Sequence, residues 1–444
     1  MNHPHETGPA SGSDWRAAFD LAGVRILEFS VAWAGPQAGR WMAEFGADVI
    51  KIEHPTSRGL AMGNAITAEP NWQRGQLPKP SLRNGIFPDN DPGATWWNRL
   101  GHFNKMNRTK RSLCLDLKAP GGRDIFEELV RRSDVVLNNY SPRGVRSLGI
   151  DHETLRAINP KIVTIDLSGF GATGPEYDQV SWGPILEGAS GLAHATGYVD
   201  SGPYKQGLAL PDAVGGLHGT VALLAALWER DTTGEAVHVD ASQLETYLQF
   251  AGDLCLATSI SGNPPARQGN RAEGLAPQGV YPCRGEDRWL ALSVPDDVTW
   301  ARLVALVGDA ALEHPAYRTL AGRMAAQDEL DLVLGSWTAG YDAHELMVQL
   351  QGAGIPAGVA MSNEDLVGDA HLSEQGFLVT VEHPDTGPLS FPNFPVHAEN
   401  WQPTVRAAPG LGQHNVEILR SVGYDDAAIS ALVAAGTIAE LPPV

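Results

Sequence analysis

Asp212 stands in LALPDAVGGLHGTVALLAALWERDTTGEAVHVD, residues 208–240, after a proline and ahead of an apolar run studded with glycine. Two chemistries fit an acid in that setting. As an N-cap it would accept hydrogen bonds from the orphan N–H groups at a helix start. As a nucleophile it would attack a carbonyl carbon, with nearby N–H groups steadying the oxyanion. Gly215, Gly216 and Gly219 follow closely. Each costs about 1 kcal/mol against alanine in a helix, so something is expected to approach this backbone closely.

A second concentration of chemistry is FNKMNRTKRS, residues 103–112. Lys105, Arg108, Lys110 and Arg111 make a dense basic run in an acidic chain. It reads either as a solvated loop before a strand or as counter-charge for phosphates. Lys118, Arg143 and Arg146 would add to the second reading. His194 and His218 are the histidines nearest the Asp212 region, and a helix-borne histidine is more often a packed residue. Glu187, in ILEGASG, could orient a carboxylate, but is read as a helix-surface glutamate. No GxGxxG follows the first strand, and GxxxxGK[ST], GxSxG and HExxH are missing from the sequence. A dinucleotide cofactor, a P-loop, a hydrolase elbow and a catalytic metal are therefore not indicated.

The elements that must position these residues follow a βαβ pattern. VRILEFS (24–30) is a buried strand, a helix starts near Pro36 and stops at Gly46, and ADVIKIE (47–53) returns as a strand. The pattern recurs with strands at 112–118, 134–140 and 161–171 and helices at 120–133 and in ETLRAINP. Residues 20–170 are expected to form a doubly wound α/β domain. Ligands gather outside the carboxyl ends of parallel strands, where Ser30-Val31, Leu117-Lys118 and Asn138-Asn139-Tyr140 fall. An insertion over 56–104 carries Pro70, Pro78, Pro80, Pro88 and Pro92 with Trp72, Trp96 and Trp97, and its tryptophans favour an ordered role.

Residues 260–280 are rich in Gly, Pro and Asn and read as a linker or mobile loop. VYPCRGEDRWLALSV reads as a hairpin, followed by helical patterns at 297–308, 324–339 and 343–353. GFLVTVEHPDTGPLSFPNFPV is strand-like, and two short helices close the chain. The expected division is a disordered tail (1–14), a large domain (15–250, completed by 375–444), a linker (251–274) and a small α+β domain (275–365), with 366–444 returning to the large domain.

The composition, 43% apolar and 19% charged over 444 residues, is that of a globular protein. A net charge of −20 disfavours nucleic acid or an anionic membrane as partner. Cys114, Cys255 and Cys283 are too sparse for a disulfide framework or a zinc site and suit a reducing compartment. The N-terminal residues lack the apolar core of a signal peptide. The longest apolar run, Thr220 to Trp228, is too short to span a bilayer. A soluble, cytoplasmic protein is expected.

Several stretches together resemble the class III CoA-transferases, the family containing formyl-CoA transferase and the carnitine CoA-transferase. They are LAGVRILEFSVAWAGPQAGRWMAEFGADVIKIEHP, NRTKRSLCLDLKAPGGRDIFEELVRRSDVVLNNYSPRGV, INPKIVTIDLSGFGATGP and LPDAVGGLHGTVALLAALWERDTTGEAVHVD. GVYPCRGEDRWLALSV and GIPAGVAMSNEDLVGDAHL match later. The resemblance implies an α/β fold: a Rossmann-like large domain built from both chain ends, a small α+β domain, and two subunits interlocked as rings. It places the family nucleophile at Asp212, which would pass CoA from an acyl-CoA to a carboxylic acid through aspartyl anhydride and aspartyl-CoA thioester intermediates. The resemblance also implies that no cofactor is held permanently and that coenzyme A arrives as acyl-CoA substrate. Family CoA contacts fall at Trp33, Ala34, His54, Leu115 to Lys118, and Asn139, Tyr140 and Ser141.

Three departures from the family pattern stand out. His54 stands where the family is often basic and is the weaker phosphate partner; Trp33 stands where the formyl-CoA enzyme has glutamine, which favours an acceptor bulkier or less polar than oxalate. QGNRAEGLAPQG replaces that enzyme's flexible glycine run. A 2-methylacyl-CoA racemase shares the fold, but Trp182 stands where its histidine should be, and proton shuttling needs a titratable group there. A third reading is a non-catalytic subunit of a heteromer with a paralogue.

Overall fold

Runs of β-branched and aliphatic residues alternate with helices, and in the computed structural model the runs between Arg25 and Asp240 become the strands of one parallel sheet. The structure describes residues 20–58, 87–399 and 401–442. The expected tail, and Pro70, Trp72, Pro78 and Pro80 of the insertion, lie outside the described residues. Two compact units emerge. The first comprises the described residues up to Ser190, then Gln206–Asp253, and those from Phe377 onward. The second comprises Gly191–Lys205 and Leu254–Gly376.

The first unit opens with β1 (Arg25–Phe29), α1 (Ala34–Glu44) and β2 (Asp48–Glu53). It continues through α2 (Gly101–Asn107), β3 (Arg111–Cys114), α3 (Gly122–Arg131), β4 (Val135–Asn138), α4 (Pro142–Leu148), α5 (His152–Ile158), β5 (Val163–Asp166) and α6 (Gly183–Ala189). The short α7 (Leu192–Ala195) belongs to the second unit. The chain returns with α8 (Leu210–Thr233), β6 (Val237–Asp240) and α9 (Gln243–Leu248). The strand order is β3-β2-β1-β4-β5-β6, parallel throughout. Strand order reverses between β1 and β4, which makes their carboxyl ends the switch point of a Rossmann-type sheet. β6 pairs with β5 and completes the sheet beyond the strands expected from the sequence.

Both sheet faces are buried, as a parallel sheet requires. Leu27, Phe29, Ile50, Ile52 and Val136 pack with α3 residues Ile125, Phe126 and Leu129 on one face. Ile26, Val49, Val135, Leu137, Val163 and Ile165 meet Met42 of α1 and Leu223 and Leu227 of α8 on the other. Successive strand residues point to opposite faces, so one apolar run serves both cores. From the insertion, Trp96 and Trp97 are buried with Phe87, Leu100, Phe103 and Leu411 in a smaller cluster, so they pack this stretch down.

α8 corrects one expectation. It has 24 residues, with a mean hydropathy of 1.4 over its most apolar window, so length and composition would allow it to cross a membrane. The uninterrupted apolar run from Thr220 to Trp228 is only part of this helix, Leu210–Thr233. Half of the window is buried, and α8 packs along the sheet as a core helix.

In the second unit, β7 (Gln278–Pro282) and β8 (Trp289–Ser293) form the expected hairpin, and β9 (Ala357–Val359) pairs antiparallel with β8. Helices Asp297–Val307, Gln327–Thr338 and Ala343–Gly352 enclose a core around Leu290, Leu292, Trp300, Leu334 and Leu346. The stretch read as a linker carries a helix, Gly252–Ser261. β10 (Leu378–His383) and β11 (Gly387–Pro392) pair antiparallel, and helices Asn415–Ser421 and Asp426–Ala434 close the first unit.

Candidate active site

Asp212 is not the N-cap of α8. Ala209 holds that position without a side-chain cap, Pro211 takes a first-turn place that needs no N–H, and Asp212 is the third helical residue. Among the described residues its carboxylate has no hydrogen-bonded or ion-paired partner. Burial alone pushes it up to about 6. It lines a cleft of about 360 Å³. The cleft is walled by segments that follow four strand ends: Val31 and Ala32 after β1, Asn139 to Pro142 after β4, Ser168 and Gly169 after β5, and Gln243 after β6. Tyr177, Val180, Trp182 and Leu186 give it an apolar side.

The three glycines of α8 do mark close approach, but by the protein itself. A Cβ on Gly215 would lie 2.9 Å from Gln243, one on Gly216 2.8 Å from the carbonyl oxygen of Ala34, and one on Gly219 2.8 Å from Leu167. They let α8 press onto α1 and the end of β5. No ligand is needed to explain them.

The loop after β1 is held from several sides. Asn139 accepts from the Val31 N–H at 2.9 Å and donates to the Val31 carbonyl at 2.8 Å. His102 Nε2 lies 2.9 Å from the Ala32 carbonyl oxygen. Ala32 has a φ of 60°, a left-handed conformation that costs a non-glycine residue energy and is held here by these bonds. Trp33 Nε1 donates to Gln37 at 2.6 Å, Gln37 donates to the Ala213 carbonyl at 3.0 Å, and Lys105 stands 4.9 Å over the Trp33 ring. Ala34 is buried under α8.

Arg108, Lys110 and Arg111 of the basic run are spent on internal ion pairs, which corrects the reading of Lys110 as phosphate counter-charge. Lys110 is buried, with Nζ 2.7 Å from Glu28 and bonded to the Pro36 carbonyl and Asn107 at 2.9 Å. Burial pushes the Glu28 carboxyl up, but Lys110 and Lys51 together bring it below its ordinary value. Arg108 pairs with Glu44 at 2.5 Å, and Arg111 pairs with Asp48 and Glu417. Three of the four cations therefore fasten elements together.

The other expected contacts fall into groups. His54, Leu115, Lys118 and Tyr140 line a second cleft of about 180 Å³. Tyr140 lines both clefts, and Asn139 and Ser141 line the Asp212 cleft. Burial, with the charges of Glu28 and Glu53, pushes the Tyr140 hydroxyl up to about 12, so it stays protonated. His54 is half-exposed, 3.6 Å from Asp116. Arg143 pairs with Asp178, and Arg146 stands 5.7 Å from the ring centre of Tyr177, a cleft residue; both arginines are exposed.

Two side chains depart from their sequence readings or stand clear of the cleft. Glu187 is wholly buried rather than on a helix surface. His218 bonds the Val214 carbonyl of its own helix at 3.0 Å, as a packed residue does. Sequence reasoning missed Gln37, Gly183 and Ser168; of these, only the glycine gave any signal, a residue at a helix start where an alanine would serve. No cluster of metal-ligating side chains occurs among the described residues.

The fold and the site define an α/β protein with a switch-point cleft at the carboxyl ends of a parallel sheet and, in its wall, an aspartate that has no partner among the described residues. The chain belongs to CoA-transferase family III, whose profile matches residues 21–415. It is similar to the succinate–glutarate CoA-transferase of Agrobacterium fabrum, with 31% identity over 90% of this chain and 94% of that one. It is also similar to the succinyl-CoA–D-citramalate CoA-transferase of Chloroflexus aurantiacus, with 30% identity over 91% and 94%. A CAIB/BAIF family protein from Brucella suis has a similar crystal structure, with a TM-score of 0.77, 25% identity, and coverage of 90% and 99%. The protein is accordingly a class III CoA-transferase, with CoA thioesters as substrates.

Proposed function

We propose that Asp212 carries the transfer as a covalent nucleophile. Its carboxylate attacks the thioester carbonyl of an acyl-CoA, the C–S bond breaks, and a mixed aspartyl anhydride and CoA thiolate result. The thiolate attacks the aspartyl carbonyl, releasing the donor acid and leaving an aspartyl-CoA thioester. An acceptor carboxylate then attacks the aspartyl-CoA thioester, breaking its C–S bond to give a second mixed anhydride and free CoA thiolate; the thiolate attacks the acceptor's acyl carbon, and the Asp212 carboxylate leaves. The observation that carries this reading is an aspartate in the wall of a cleft, raised by burial to about 6 and without a partner among the described residues. Such a group is ionised at neutral pH yet poorly solvated, which suits a nucleophile.

The two clefts that meet at Tyr140 suit a CoA track. We place the nucleotide end near His54, Leu115 and Lys118, the pantetheine past Asn139, Tyr140 and Ser141, and Arg143 and Arg146 at the rim, with Trp33 and Ala34 backing the thioester. Succinyl-CoA is the donor we favour, from the relatives' names. The apolar wall of Tyr177, Val180, Trp182 and Leu186 suits an aromatic or branched acceptor rather than oxalate. An interlocked homodimer is supported by Leu217, Val221, Leu224 and Trp228, all exposed at heptad spacing along α8. The free cysteines Cys114, Cys255 and Cys283 suit a cytoplasmic enzyme.

The test is intact-protein mass spectrometry after succinyl-CoA and hydroxylamine. Conversion of Asp212 to its hydroxamate with loss of activity is expected. Turnover with an unmodified Asp212, or full activity in Asp212→Asn, removes the proposal.

A further inference from the structure

Glu187 lies one turn beyond Gly183 on α6, and residues four apart share a helix face. That face meets the start of α8: a Cβ on Gly183 would lie 2.6 Å from Ala209 Cβ and 2.8 Å from Asp212 Oδ2. Glu187 is 0% exposed. One of its oxygens accepts the backbone N–H of Gln206, while Oε2 is buried without a hydrogen bond. Among the described residues no cation pairs with it. A buried carboxylate so poorly compensated is costly, and an apolar side chain would serve packing better.

What Glu187 holds is the lead-in to the proposed nucleophile. Gln206 is followed by Gly207 and Leu208, both exposed, then by the N-cap Ala209. The Asp212 N–H donates to the Ala209 carbonyl at 3.2 Å. α6 thus grips the segment 206–212 twice, at the Gln206 amide through Glu187 and at Ala209 through the bare backbone of Gly183. Tyr247, also buried, sits close enough that Glu187's charge, after burial, pushes its hydroxyl up. Its hydroxyl is 3.5 Å from the Gln206 side-chain oxygen.

We propose that Glu187 is a positioning residue for Asp212, fixing where α8 begins by accepting the Gln206 N–H. This rests on Asp212 being the nucleophile. A carboxylate displaced by even 1 Å from its line of attack loses about 100-fold in rate, so a small anchoring loss is read in chemistry before binding.

The experiment measures single-turnover formation of the Asp212 adduct with succinyl-CoA in the full chain, alongside KM and thermal stability. Glu187→Gln retains an oxygen that accepts the Gln206 N–H, and its adduct rate is expected within about 3-fold of wild type. Glu187→Ala is expected to slow the adduct by about 30-fold or more, with KM within about 3-fold, at a temperature where the variant is fully folded. Should Ala fail to fold, Glu187→Met keeps the volume without the buried charge, and the same slowing is expected. Unchanged adduct rates in Ala or Met, whatever their melting temperature, overturn the proposal. So does an equal loss in Gln, which would assign the effect to charge. Asp212→Asn runs in parallel: turnover there defeats the nucleophile reading itself and is recognisable apart from any result at Glu187.

Discussion

The carboxylate of Asp212 lies so close to Gly183 that a methyl group there would stand 2.8 Å from Oδ2. The same methyl would meet Ala209 Cβ at 2.6 Å, so the start of α8 would have to shift. Gly183→Ala is therefore expected to lower kcat/KM by about 10- to 100-fold while costing about 1–3 kcal/mol of stability. Steady-state kinetics and urea unfolding check both parts. Wild-type kinetics in this variant would show that the site yields freely.

The acid limb of the pH–rate profile should report Asp212. Its carboxyl is pushed up to about 6 by burial, and only the ionised form attacks. Rate is expected to fall tenfold per pH unit below about 6. Stability runs the other way. A carboxyl raised above its unfolded value favours folding at low pH, and that contribution is lost as pH rises through about 6. Asp212→Asn, neutral throughout, is expected to be more stable than wild type at pH 8, on the order of 1–3 kcal/mol, and level with it near pH 4. Urea titrations at the two pH values test the sign.

Much of the fold was legible because a doubly wound sheet buries both faces, and runs such as VRILEF and DVVLN admit few other states. The strand ends at Ser30-Val31 and Asn138-Tyr140 followed from that. The site was less legible where tertiary partners decide roles. Lys110 and Lys118 look alike in sequence, yet one is buried on Glu28 from β1 and the other is exposed at a cleft. Glu187 carries no signal in ILEGASG that distinguishes it from a surface glutamate. Gln37 matters only because α1 lies under Ala213.

The two lysines should separate cleanly. Lys110→Met leaves Glu28 with Lys51 at 3.2 Å and Ser30 as remaining partners. Removing one member of a buried ion cluster costs about 3–5 kcal/mol. The folded fraction should keep its KM for acyl-CoA. Lys118→Ala should leave the melting temperature in place and raise that KM by about 3- to 10-fold, the more so at low salt, since an exposed cation acts through screened attraction. Equal KM effects in both would return Lys110 to the phosphates.

Gln37 offers a test of how firmly the first turn of α8 must be held. Its Nε2 donates to the Ala213 carbonyl at 3.0 Å, and its Oε1 accepts from Trp33 at 2.6 Å. Both partners have other recourse. A carbonyl in a helix already accepts one intrahelical bond and has a second lone pair to spare, and Trp33 is only partly buried, so its N–H can reach water. Gln37→Leu is therefore expected to cost only about 1 kcal/mol in urea unfolding. The activity loss should be larger, about 10-fold in kcat, because the bond ties α1 to the residue next to Asp212. Trp33→Phe removes the other half of the link and leaves the Ala213 bond in place, so its kcat should fall less. If Trp33→Phe lowers kcat as much as Gln37→Leu, the link acts through the loop after β1 and not through the start of α8.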